Sequence, residues 1–189
     1  DPRVPTLDRI LHVIRAIPAN SEIERRNQAL IAFTLLTGAR DSAVASLKLK
    51  HVDLAQECVH QDARDVRTKF SKTFTTWFFP VGDEVRAIVT VWVQFLTTER
   101  LWGLDDPLFP CTRVIVGEAQ QFDAAAFQWS NAAPIRKIFR QAFEAAKLPY
   151  FNPHSTCGAI SSGRSGTAAN NRGRPRMPPC DKYSVISMV

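Results

Sequence analysis

The chain has 189 residues, 45% of them hydrophobic, enough to bury one core and too apolar to be disordered over its first four-fifths. Its 24 Lys and Arg against 18 Asp and Glu give a net charge of +6 and a pI near 9.5, a balance that fits an anionic partner, nucleic acid first. Five of the basic residues and one acid fall within 155–189, so the remainder is near neutral and the total charge alone decides little.

In chain order, Leu7, Ile10, Leu11 and Ile14 recur at helical spacing and predict a helix over 6–17. "PANSE" (18–22) breaks it, and Ser21 is suited to cap a second helix over 22–37 that carries Ile23, Leu30, Phe33, Thr34 and Leu36 inward and stops at Gly38. A third helix is expected over 41–48, with Asp41 or Ser42 at its start. The character then changes. "ECVHQD" (57–62), "DVRTKF" (65–70) and "TFTTWFFPV" (73–81) are rich in β-branched and aromatic residues and predict three antiparallel strands, with "FSKT" as the last turn. Helical periodicity returns over 83–100, "GLDDPLFP" (103–110) makes a turn and a short extended piece, and helices are expected over 123–129 and 131–147. The fold class is therefore α+β, mainly helical, with a small three-stranded sheet.

After Ser155 the periodicity stops. Few large apolar residues and much Gly, Ser, Asn, Pro and Arg predict a disordered basic tail over 156–189, following a folded unit over 5–155. Cys58, Cys111, Cys157 and Cys180 stand far apart without metal-ligand spacing, so reduced thiols are expected and no metal or other cofactor. No signal peptide or membrane-spanning run is visible, and the expectation is a cytoplasmic protein.

One position resists the reading as a plain helical domain. In "LLTGARDSAVASLKLKHVDL" (35–54), Arg40 stands at the mouth of a predicted helix, where the peptide dipoles already place positive charge. An anion between the two would remove the conflict, because a guanidinium fork and free helix N–H groups would bind it together.

Helices, a three-stranded sheet and further helices, with "TGAR" opening a helix, "TKFSKTFTTWFFP" at a hairpin and "PH" at 153–154, resemble the catalytic domain of the tyrosine recombinases, the phage-integrase family. The resemblance covers about residues 5–155. It implies double-stranded DNA as partner, together with other recombinase subunits, and neither a membrane nor a small-molecule cofactor. It implies that Arg40 faces the scissile phosphate. In that family a tyrosine attacks the phosphodiester, forming a 3′-phosphotyrosyl bond and releasing a 5′-hydroxyl. A hairpin lysine protonates the leaving oxygen. Lys69 takes that role in this reading, His154 becomes a proton-transfer or phosphate-binding residue, and Lys72 and Arg67 become DNA contacts.

The match fails at a definite place. Three residues after His154, where the family has a second arginine, the chain has Cys157, which offers one weak donor and no charge. Tyr150 precedes the histidine and Tyr183 lacks the expected surroundings, so the nucleophile is unknown and the status as an enzyme stays open. Ala43 stands where many members are acidic, with Asp41 as a partial substitute. From Thr156 every expected feature is missing at once, and an abrupt boundary of this kind is expected from a shifted reading frame rather than from scattered substitution. The sequence reads as a catalytically incomplete DNA-binding fragment. The alternatives are a DNA-binding regulatory module without cleavage chemistry and a helical protein-interaction domain.

Overall fold

The computed structural model describes residues 5–113, the backbone of 121–122, and residues 127–153. Thr6 opens α1 (Leu7–Ala16) by accepting the Arg9 N–H, and the helix buries Ile10, Val13 and Ile14. Ser21 and Glu24 form a reciprocal capping box at the start of α2 (Glu22–Thr37), with Ser21 Oγ accepting at 3.2 Å and Glu24 Oε2 accepting at 2.9 Å. From Ala29 to Thr37 every residue of α2 is buried, so this helix is the mast of the core. Thr34 and Thr37 are admitted because their hydroxyls donate to the carbonyls of Leu30 and Phe33 at 2.9 and 2.8 Å. The left-handed Gly38, φ 65°, ends the helix.

Helix α3 (Asp41–Val44) is half the expected length. The backbone that would have continued it pairs elsewhere: Leu108 N–H donates to Leu47 O at 2.9 Å and Leu49 N–H to Asp106 O at 3.0 Å. Ser46 adds hydroxyl bonds back to Ser42 O and Ala43 O. A 3₁₀ turn, Leu49–His51, leads into the sheet.

The sheet has three antiparallel strands in the order β1 (Val52–Asp53), β2 (Cys58–Gln61), β3 (Phe74–Trp77), with Val59 opposite both Val52 and Thr76. Two of the three expected strands are present and one was misplaced. Residues 65–70 form no strand: the chain turns at Asp62–Val66 and then makes a 3₁₀ turn over Lys69–Ser71. The missing strand is supplied by β1, upstream. Beyond β3, the Phe79 N–H donates to Leu36 O at 2.7 Å, meeting one of the carbonyls that the end of α2 leaves open. This bond fixes the hairpin's exit beside the α2–α3 junction.

Helix α4 (Asp83–Gln94) packs along α2 and runs into a π-helical turn, Phe95–Glu99. Trp92 Nε1 donates to Leu108 O at 2.9 Å. A two-stranded ribbon, β4 (Thr112–Arg113) with β5 (Gln121–Phe122), precedes α5 (Ala133–Ala145). Pro134 lies in the first turn of α5, which buries Ile135, Ile138, Phe139 and Phe143 and touches α1 and α3. Tyr150 and Phe151 rest on Phe143, ring centroids 6.3 and 6.0 Å away. The expected helix over 123–129 is absent at 127–129, and its other residues lie outside those described. So do His154, Cys157 and the tail. Among the described residues no helix is long and apolar enough to cross a membrane.

Candidate nucleic-acid interface

The α2–α3 junction and the β2–β3 connection face each other across an open cleft of about 470 Å³. Gly38 and Arg40 line one side, and Arg67, Lys69 and Lys72 the other. No carboxylate lines it among the described residues. Arg40, Lys69 and Lys72, with Arg67 beside them, give this carboxylate-free hollow a positive charge that suits an anion.

Arg40 occupies the N-cap position of α3, its carbonyl accepting the Val44 N–H at 2.9 Å, and its exposed side chain makes no hydrogen bond or ion pair among the described residues. Its neighbour Asp41 is engaged otherwise, accepting the Ser42 N–H at 2.8 Å and facing Arg136 Nε at 3.2 Å. Because α3 has four residues, its dipole is slight. The case for an anion therefore rests on the converging cations rather than on a helix terminus, a correction to the reading from sequence.

The lysine loop is held at both ends and strained in the middle. Asp62 accepts from the Arg64 backbone and guanidinium, which holds its carboxyl well below the usual carboxylate range, and Thr73 Oγ1 accepts the Ala63 N–H at 3.0 Å. Between these anchors Phe70 (φ 59°) and Ser71 (φ 49°) are both left-handed, at about 1–2 kcal/mol each for non-glycine residues. Phe70 is thereby turned outward, 77% exposed, with Lys69 Nζ 4.7 Å from its ring centre.

Arg67 does more than face the cleft. Its Nη1 donates to Ser130 O at 2.6 Å and its Nη2 to Trp129 O. Its backbone N–H donates to Ser46 Oγ at 2.9 Å, while Gln128 Nε2 donates to Ser46 O at 2.7 Å. Ser46 and Arg67 thus staple the lysine loop to α3 and to the segment entering α5.

A second charged cluster lies behind the loop and was not legible from sequence. Lys50 Nζ bridges Asp65 and Asp105 at 2.8 and 2.9 Å, and Lys48 joins at 3.3 Å to Asp105. The hydrogen bonds from Lys50 hold Asp65 and Asp105 below the ordinary carboxylate range, and those carboxylates raise Lys50. These lysines are compensated, unlike Arg40. His51 Nδ1 accepts the Lys48 N–H at 2.9 Å, and the ring is 3% exposed. Among the described residues no His, Cys, Asp and Glu group suits a metal ion.

The geometry brings together Arg40, Arg67, Lys69 and Lys72; His154 lies outside the described residues. No family model matches the chain, and neither does any curated protein. Among solved structures the chain is similar to the crystal structure of XerA recombinase, with TM-score 0.59 and 17% identity over 85% of this chain. The fold is recombinase-like. The chain spans about half, 48%, of the length of that structure.

Proposed function

We propose that this chain is the phosphate-gripping part of a tyrosine recombinase-type catalytic domain and binds double-stranded DNA. The observation that carries the reading is the carboxylate-free cleft lined by Arg40, Lys69 and Lys72, with Arg67 beside them, on a recombinase-like fold. Arg40 supplies the planar fork that takes two phosphate oxygens. Lys69 or Lys72, both exposed on the facing loop, would give a proton to the departing 5′-oxygen, and His154 would assist near the same phosphate. Cys157 cannot replace a guanidinium in stabilising the developing charge, and the loss of one well-placed donor costs roughly 10²–10³ in rate. With no assigned nucleophile, the chain binds DNA without completing strand cleavage, and other recombinase subunits are its natural protein partners.

The test is fluorescence anisotropy of a short labelled duplex across a salt series. About three phosphate contacts at a slope of about 0.9 each predict roughly 100-fold weaker binding between about 50 and 300 mM salt. Equal binding at both ends of the series rules the reading out. A nicked duplex incubated with the protein and run on a denaturing gel checks cleavage: no covalent adduct is expected, and an adduct would mean that a nucleophile is present after all.

A further inference from the structure

Phosphate binding leaves the tip of the lysine loop unexplained. Phe70 stands between Lys69 and Lys72, 77% exposed, and lines the same cleft as Arg40. Phe74, at the start of β3, lines it as well and is 45% exposed. The left-handed backbone at Phe70 and Ser71 directs the ring away from the core. From Lys69 to Phe74, cations and exposed aromatic rings thus interleave along the rim of the cleft.

We propose that Phe70 is a base-stacking wedge, which rests on the DNA-binding reading above. With a phosphate held against Arg40, Lys69 and Lys72, the ring lies one residue from Lys69 and two from Lys72, within reach of the base next to that phosphate. Lysines on such a loop grip the backbone irrespective of sequence, while an apolar side chain pressed against a base step unstacks or kinks it. Every base offers a π-face, so the contact works without base-edge hydrogen bonds. In the free protein the Lys69 ammonium covers one face of the ring; transfer of that ammonium to a phosphate uncovers the face. The partner predicted by this arrangement is duplex DNA with a step that opens easily, since unstacking is least costly at a mismatch.

The experiment compares a fully paired short duplex with one carrying a central mismatch flanked by 2-aminopurine. Wild-type protein is expected to bind the mismatched duplex more tightly, with a change in 2-aminopurine emission that reports the altered stacking. Phe70→Ala should lower affinity for the mismatched duplex by roughly 5- to 150-fold and abolish the preference, with the salt slope unchanged. Phe70→Trp should keep both the preference and the emission change. Because the side chain is exposed, neither variant should shift the thermal melt. If Phe70→Ala keeps the wild-type preference, or the wild type has none while still binding in a salt-sensitive way, the wedge is wrong and DNA binding stands. If wild-type protein binds neither duplex, the DNA-binding reading fails and the wedge with it.

Discussion

The Arg67 guanidinium donates to the carbonyl of Ser130, 2.6 Å away and 63 residues on in the chain. With the second bond to Trp129 O, it makes the lysine loop and the entry to α5 one unit. Arg67→Ala should therefore raise hydrogen exchange at residues 66–72 and 128–131 by roughly tenfold, in the absence of DNA. Arg67→Lys, a point charge without the fork, should restore only part of the protection. The sequence reading placed Arg67 on DNA. If the salt slope of binding falls by about 0.9 in Arg67→Ala while exchange is unchanged, that phosphate contact is its role instead.

Arg40, whose side chain has no hydrogen-bond or ion-pair partner among the described residues, should behave differently. Arg40→Ala is expected to reduce the salt slope by about 0.9 and to weaken binding to all duplexes alike. Its melting temperature should stay near the wild-type value, since no buried contact is lost. Lys69→Ala and Lys72→Ala should each lower the slope by a similar amount. A large melting shift in Arg40→Ala with an unchanged slope would assign Arg40 a structural role.

Elements whose pattern is local were legible in the sequence. Helices α1, α2, α4 and α5 follow from periodicity, and Ser21 and Gly38 mark the ends of α2 as expected. Errors arose where a tertiary partner overrode local preference. Val66, Thr68 and Phe70 have strand-forming side chains, yet the Asp62 turn and the left-handed Phe70 make their segment a loop. Val52–Asp53 is too short to signal a strand without its partner Cys58–Val59. Motif spacing singles out Arg40, Lys69 and Lys72, and the fold brings these three to one cleft. The Arg67 staple was not legible, because Ser130 lies far along the chain.

Arg26 illustrates the same blindness inside α2. It looks like a surface residue in "EIERRNQAL", but only 2% of it is exposed. Its Nη1 donates to Pro110 O at 2.9 Å, the group lies 5.0 Å from the Trp129 ring centre, and burial pushes its pKa down to about 10. Arg26→Ala leaves a cavity and an unmet carbonyl, at a cost of about 2–5 kcal/mol. Arg26→Met keeps the stem volume and should recover part of it. Urea unfolding midpoints of the two variants check this; equal, near-wild-type midpoints would show that the site is not dry.

His51 gives the protein a pH dependence that can be worked out in sign. Its Nδ1 accepts from Lys48, so the neutral ring carries its proton on Nε2, which is buried without a hydrogen-bond partner, 3.7 Å from Asp65. Desolvation lowers its pKa from 6.5, and the nearby Asp65 offsets this only in part. The unfolded chain therefore takes up a proton first as pH falls. Stability from this group is complete above about 6.5 and is lost as pH drops toward the lower folded value. Asp65 and Asp105, whose folded values are depressed, contribute stability that disappears only as pH falls below 3.8. The two windows are separate. Thermal melts should show wild-type stability declining as pH falls below about 6.5, while His51→Asn, which can still accept the Lys48 N–H but cannot take a proton, should show a flatter profile. Parallel curves for the two proteins would mean that His51 does not titrate in that window and that the loss of stability lies elsewhere.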